Sequence, residues 1–362
     1  MINNEIISQY IEALKGIVDI DVVYGGPNDV LLRGDFGPFG KISAIDILNR
    51  ISGLPGKAEI ASLEPRVVIR IRMPGRIGVR KIPWLNLILF LLTLLSTLFV
   101  GAFFSHSGFM DNLDWLWKHP WRVMVYGMPF SFSLLGILLF HEFGHYTASR
   151  IHGVQVTLPY FIPAPTIIGT MGAVIRLKSP FITRKQLFDV GAAGPLAGMV
   201  VAIPVAIWGL AHPVFVPDST HLTIIANLGD SLLYKWIASI VAPAPPAGYA
   251  GLMNPLAFSG WVGFLVTMLN LLPIGQLDGG HILYAMFGKV QHKIAAAILV
   301  LLVVLSYWWI GWIVWVAIGL FLIKVKHPPT VLDDVPLDKT RLAIGFVCIL
   351  IFVLCFIPIP AT

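Results

Sequence analysis

Glutamate almost vanishes from this chain after residue 64. Four of its five glutamates are Glu5, Glu12, Glu59 and Glu64, and nearly three hundred residues follow with one more, Glu142. Charge as a whole is scarce: 12% of 362 residues are charged, 57% are hydrophobic and the mean hydropathy is +0.82. Soluble domains carry about 25% charged residues, so a soluble globular protein is excluded and a multi-span membrane protein is indicated. Cysteine is nearly absent as well. Cys348 and Cys355 both lie in the last apolar run, which rules out a disulfide framework and a cysteine metal site. The start, Met1-Ile2-Asn3-Asn4-Glu5, lacks a basic region, an apolar core and a cleavage site, and it is not rich in Arg and Ser. Neither a signal nor a transit peptide is expected, and the first span would act as its own insertion signal. No internal repeat is visible.

The formal charge of +6 could suggest nucleic acid, but the basic residues stand beside apolar runs, as the positive-inside tendency requires. The charge is therefore read as topology, with no nucleic-acid partner. Residues 1–80 are mixed in composition and read as a small soluble α/β domain. Ile6, Tyr10, Ile11 and Leu14 recur at helical spacing, and a second helix is expected near Ile42 to Ile51. Val68-Ile69-Arg70-Ile71-Arg72 alternates like a half-exposed strand, and Gly25-Gly26-Pro27-Asn28 and Gly37-Pro38-Phe39-Gly40 read as turns.

Residues 81–362 read as the membrane part. Arg76, Arg80 and Lys81 precede the apolar run Pro83 to Phe104, so the N-terminal domain is expected on the cytoplasmic side. Further apolar stretches follow at about 123–149, 185–211, 256–288, 294–324 and 342–359. The stretch 294–324 is too long for one upright span and its halves are each too short, with Tyr307-Trp308-Trp309 and Gly311 marking a break. Lys324, Lys326, Lys339 and Arg341 favour an even number of crossings there, so six or seven transmembrane helices are expected in all. Between the second and third, residues 154–178 are too polar to span. Val154-Gln155-Val156-Thr157 and Ala173-Val174-Ile175-Arg176-Leu177 suggest a β-hairpin insert, serving either as an edge for an unwound substrate or as a plain connector.

The chemistry concentrates at two places. Leu139-Phe140-His141-Glu142-Phe143-Gly144-His145 contains H-E-x-x-H, which on a helix turns both imidazoles toward one metal and sets Glu142 beside it as general base. The isolation of Glu142 strengthens this reading, because a carboxylate within apolar sequence is costly and by default functional. A catalytic zinc takes three protein ligands. Asp278 is the strongest candidate for the third, in Asn270-Leu271-Leu272-Pro273-Ile274-Gly275-Gln276-Leu277-Asp278-Gly279-Gly280-His281, where Pro273 and three glycines break a helix. His281 is the rival, as ligand or as supporting neighbour. Gly194-x-x-x-Gly198 reads first as a helix-packing motif, bringing the metal-bearing helices together only indirectly.

H-E-x-x-H at 141–145 followed by N-x-x-P-x-x-x-x-D-G at 270–279 resembles the site-2 protease family of intramembrane zinc metalloproteases. Gly191-Ala192-Ala193-Gly194-Pro195-Leu196-Ala197-Gly198 resembles the family's third core span, so the family core covers about residues 123–290. The resemblance implies one catalytic zinc on His141, His145 and Asp278, with Glu142 as base. It also places Asn270 near the metal, and beside it Pro273, Gly279 and His281 are candidates for contacting substrate or supporting the site. The N-terminal domain, His327-Pro328-Pro329 and Asp333-Asp334-Val335-Pro336-Leu337-Asp338 look like the chloroplast and cyanobacterial yellow-green-like branch. There is no room for a PDZ insert.

The expected function is hydrolysis of peptide bonds in or near the spanning segment of membrane-anchored proteins, within a lipid bilayer, by an integral protein of a prokaryotic cytoplasmic membrane. A homo-oligomer is compatible with the sequence. Two other classes share some of its features: a secondary transporter with a broken-helix ion site, and an inactive membrane scaffold.

Overall fold

The computed structural model of the protein describes residues 4–25, 29–38, 40–72, 83–105, 118–217 and 228–361. Met73, the Arg76/Arg80/Lys81 cluster and most of the first predicted turn, residues 26–28, lie outside them, as does Phe39 of the second. In the N-terminal region, β1 (Val18–Gly25), β2 (Asp29–Phe36), β3 (Lys57–Ser62) and β4 (Val67–Arg72) form an antiparallel sheet in the order β1-β2-β4-β3. Helices α1 (Asn4–Leu14) and α2 (Ala44–Ile51) sit where helical spacing predicted them. Their buried residues Tyr10, Leu14, Ile47 and Ile51 cover Val18, Val30, Leu32, Val67, Ile69 and Ile71 on one sheet face. Ser43 starts α2 by accepting the Asp46 N–H at 3.2 Å.

The expectation of a half-exposed β4 is corrected. Val67 through Ile71 are all buried, and Arg70 is only 5% exposed. The second sheet face is covered by the rest of the chain: Leu31 and Val68 pack with Ile182, Val331 and Leu332. Arg33 adds polar contacts there, donating to the Val331 carbonyl at 3.0 Å and to both Asp21 oxygens. Those bonds from Arg33 hold the Asp21 carboxyl below its ordinary range. An apolar/basic alternation thus marks a strand buried on both faces, with the Arg70 head donating to the Gly153 carbonyl and the Glu59 carboxylate.

Three helices among the described residues are long and apolar enough to cross a membrane: α3 (Trp84–Ser105), α4 (Pro120–Ile151) and α5 (Arg184–Ala211). Their 22, 32 and 28 residues correspond to about 33, 48 and 42 Å, against a hydrocarbon layer of about 30 Å. Between α4 and α5 the predicted hairpin forms as β5 (Tyr160–Pro163) and β6 (Thr170–Val174), extended by a Val156–Leu177 bridge. Thr183 then opens α5 by accepting from the Gln186 N–H at 3.3 Å, while Gln186 accepts from the Ile182 N–H at 2.9 Å. This reciprocal arrangement satisfies two backbone donors at the helix start.

After α5 the chain makes elements that periodicity did not reveal: β7 (Val214–Pro217), α6 (Leu232–Val241) and β8 (Tyr249–Leu252), with β7 and β8 paired antiparallel. The fourth apolar stretch is broken as expected, into α7 (Pro255–Asn270) and α8 (Asp278–Phe287). Asn254 caps α7 through the Ala257 N–H and donates to the Gly209 and His212 carbonyls, so one amide satisfies the ends of two helices. The fifth stretch is also broken, into α9 (Val290–Leu305) and α10 (Gly311–Ala317) with a π turn over Ile318–Ile323; α11 (Lys339–Cys355) follows. Gln291 at the start of α9 reaches the Val325 carbonyl just past the π turn at 3.5 Å, so this segment returns to where it began.

The linker between the π turn and α11 is gripped from both sides. Val331 and Leu332 donate backbone N–H bonds to Phe181 and Ile182 at 3.1 and 2.7 Å, and the N-terminal sheet packs over them. Val68→Asp would bury a carboxylate at a position with 0% exposure, at a cost of several kcal/mol. At least ten-fold faster hydrogen exchange of the Val331 and Leu332 amides is expected. Unchanged protection would show that the sheet lies beside the linker without holding it.

Candidate metal centre

The two imidazoles of the H-E-x-x-H segment lie one helical turn apart on the buried face of α4, where His141, Glu142 and His145 are 4%, 5% and 6% exposed. The third group comes from another helix. Asp278 is the first residue of α8, and its Oδ2 lies 3.2 Å from Nε2 of His141 and 3.2 Å from Nε2 of His145. The two Nε2 atoms are 3.0 Å apart. Among the described residues this is the one group of three or more His, Cys, Asp or Glu whose donor atoms converge, all within 4.8 Å.

The donor set fits a zinc ion. Two imidazole nitrogens and one carboxylate are the ligand types of catalytic zinc sites, which keep a further position open. The tautomer also fits: His145 Nδ1 lies 2.7 Å from the Val190 carbonyl, which can only accept, so Nδ1 carries the proton and the Nε2 lone pair faces the cluster. Asn270, at the end of α7, brings Nδ2 to 3.2 Å from His141 Nε2. Glu142, one position after His141 on α4, is buried beside this cluster, with the Ile175 segment after β6 near its carboxylate.

Close approach of α5 makes the arrangement sterically possible. A Cβ on Gly194 would overlap the His145 ring at Nε2, and one on Gly198 would meet His141 Cβ and Nδ1 at 3.3 Å. One on Gly191 would lie 2.8 Å from His281 Cβ. The small-residue stripe, read from sequence as packing with an indirect effect, therefore clears the space of the metal-binding rings themselves.

The α7–α8 break delivers Asp278. Gly275 adopts φ +48°, a conformation that favours glycine, and donates its N–H to the Val325 carbonyl at 3.1 Å. Cβ atoms on Gly279 and Gly280 would overlap the Leu271 and Gly275 carbonyls, so α8 can start directly beneath the turn only with glycine there. Fully buried Gln291 donates to the Pro273 carbonyl at 3.0 Å and accepts from the His327 N–H at 3.3 Å.

His281 is not among the three converging residues. Its Nδ1 lies 2.7 Å from His327 Nε2, and His327 Nδ1 in turn donates to the Pro328 carbonyl at 2.5 Å. Tyr284 stacks on His327 with centroids 4.7 Å apart and donates to Asp333, which also accepts from Arg184. Sequence reasoning missed His327 and Gln291 as supports of the site, because both lie far along the chain and neither belongs to a spaced motif.

The model of one protein family, Peptidase family M50, matches residues 129–308, about half of the chain. The chain carries an M50 domain. That domain holds both metal-bearing segments, from the middle of α4 to the end of α9. Among curated proteins, the chain is similar to the probable zinc metalloprotease EGY1, chloroplastic, of Arabidopsis thaliana, at 32% identity over 225 residues, 56% of this chain and 39% of that one. It is also similar to the probable zinc metalloprotease EGY2, chloroplastic, of Oryza sativa subsp. japonica, at 30% over 255 residues, 69% of this chain and 44% of that one. The chain thus spans about two fifths of the length of these relatives. They support the yellow-green-like branch, a zinc metalloprotease and zinc as the metal. They are chloroplast proteins, so the expectation of a prokaryotic cytoplasmic membrane finds no support in them.

Gly194→Ala tests the steric reading against Gly136→Ala, a change in α4 whose added Cβ meets nothing within 4 Å. The first is expected to lower zinc affinity ten-fold or more, read by metal analysis against a competing chelator, and the second to leave it unchanged. Equal zinc content in both variants would show that the helices part at no cost to the site.

Proposed function

We propose that the chain is an intramembrane zinc metalloprotease that hydrolyses peptide bonds in or near the spanning segments of membrane-anchored proteins. The observation that carries this reading is the convergence of His141, His145 and Asp278, from two helices, beside the buried Glu142. The M50 domain and the names of the relatives support it. When bound, zinc supplies Lewis acidity that polarises a peptide carbonyl and makes water easier to deprotonate.

The protein's own residues do the rest. His141, His145 and Asp278 hold the ion, and Val190 fixes the His145 ring. Glu142, one position round the helix from His141, takes a proton from water and returns it to the leaving amine. Asn270 is close enough to contact the reacting carbonyl. A spanning substrate helix hides its amides, so it must open before attack. The hairpin supports a route for that opening: β6 and the strand-like residues after it run past Glu142 at Ile175, and an extended peptide added along this edge would pass the base with its backbone exposed.

In the same reading, residues 1–80 form a domain outside the bilayer and residues 81–362 the membrane part. The N-terminal sheet, the end of α4, the start of α5, the end of α8 and the linker before α11 share one side. The contact between Gln291 and Val325 supports an even number of crossings between them.

Glu142→Gln is expected to retain zinc and to lose cleavage of a reconstituted membrane-anchored substrate by about 10²–10⁴-fold. Cleavage at the wild-type rate with zinc still bound would reject Glu142 as the base.

A further inference from the structure

Where α4 ends, the N-terminal sheet and the hairpin meet it around a cavity of about 410 Å³ lined by Arg72, Arg150, Gly153, Val154, Gln155, Val156 and Lys178. Three cations reach it from three different elements: Arg72 from β4, Arg150 from the last turn of α4 and Lys178 from the returning arm of the hairpin. A fourth lies beneath. Gly153, at φ +65°, presents its carbonyl to the Arg70 guanidinium, whose Nη1 donates to it at 3.4 Å.

The carboxylates nearby do not balance this charge. Glu59 pairs with Arg72 at 2.8 Å and with Arg70 at 3.5 Å, and Asp29 approaches Arg70 at 4.0 Å. Arg150 and Lys178 form no ion pair among the described residues. Four cations against two carboxylates leave an excess of two. Hydrogen-bond capacity is also unspent. Nε of Arg72 and Nε and Nη2 of Arg70 are buried without an acceptor, three donors against one unpaired acceptor, Oδ1 of Asp29, in the same cluster, and each such group costs about 1–3 kcal/mol.

We propose that this cavity is a binding site for a phosphate group, held by Arg72, Arg150 and Lys178 over Arg70. A phosphate offsets one of the excess charges as a diester and up to two as a monoester, and its several acceptor oxygens match the forked guanidinium donors better than a single carboxylate does. The cavity lies at the end of a candidate spanning helix and opens to the surface. The phosphate can therefore belong to an anionic phospholipid or to a soluble phosphorylated compound. A bound phosphate would tie the N-terminal sheet to the arms of the hairpin, whose Val156–Leu177 bridge leads to Ile175 and Glu142.

The test uses the full chain and does not depend on peptidase activity. In phosphatidylcholine nanodiscs the protein is titrated with inorganic pyrophosphate by calorimetry. In detergent, retention of phosphatidylglycerol over phosphatidylcholine is counted by native mass spectrometry. Both measurements are repeated on Arg150→Ala/Lys178→Ala, which removes two exposed side chains, and on Lys15→Ala/Lys235→Ala, which removes equal charge elsewhere. Zinc content of each variant verifies the fold. Wild type is expected to bind pyrophosphate, if the source is soluble, or to retain phosphatidylglycerol, if it is lipid. In either case the cavity variant weakens binding ten-fold or more and the control does not. Absence of both activities from wild type, or equal loss in the two double variants, would overturn the site.

Discussion

The contact between Gly194 and the His145 ring sets the geometry of the whole site. Metal binding by residues on two membrane helices needs side chains that project into a shared space, while helix packing tends to fill that space with side chains of the neighbour. Here α5 has no side chain at the position facing His145 Nε2, and again none facing His141 at Gly198. The same helix contributes the Val190 carbonyl that orients His145. One helix therefore provides both the vacancy that admits the rings and the bond that fixes one of them. Any side chain at residue 194 would occupy the space of the His145 ring and displace it from the cluster.

The third ligand depends on a different device, a helix start held in place from behind. Asp278 can point at the two imidazoles because α8 begins at that residue, under a turn that only glycine permits at Gly275, Gly279 and Gly280. A turn with open backbone groups inside a membrane needs partners. Gln291 and the Val325 carbonyl supply them, and both belong to the segment leading into the linker. That linker is paired with Phe181 and Ile182 and covered by β2 and β4. Mechanical support for Asp278 thus runs through packed contacts to the N-terminal sheet, giving that region a physical connection to the metal site even though it contributes no residue to it.

Much of this was legible because its signals are local. H-E-x-x-H fixes two rings on one helical face by spacing alone, and a proline with three glycines announces a broken helix wherever it falls. The break near Tyr307 to Gly311 and the hairpin at 154–178 were readable for the same reason. What escaped was set by partners distant in sequence. The alternation of Val68 to Arg72 reports one buried face, and nothing local could reveal that Ile182, Val331 and Leu332 cover the other. His281 could not be sorted between ligand and neighbour without His327, forty-six positions away, whose ring occupies its Nδ1. The ten apolar residues of α6 are too few to read as a span, and the four-residue strands β7 and β8 lie beside prolines that mimic a loop, an appearance their pairing overrides.

Two competing readings of the broken helix can be weighed on chemistry. A transporter site for an alkali cation uses oxygen ligands, commonly unwound backbone carbonyls beside a carboxylate. In this chain the Pro273 carbonyl accepts from Gln291, those of Leu272, Ile274 and Leu277 accept backbone N–H groups, and the converging atoms are two imidazole nitrogens and one carboxylate oxygen. Such a set favours zinc over a hard monovalent ion. An inactive scaffold would need the metal for stability alone, and structural zinc sites close their coordination with four protein ligands. Three converge here, and the buried Glu142 beside them is not one of the converging ligands. A three-ligand site leaves a coordination position open, with the buried Glu142 carboxylate beside it, and bracing a fold requires neither.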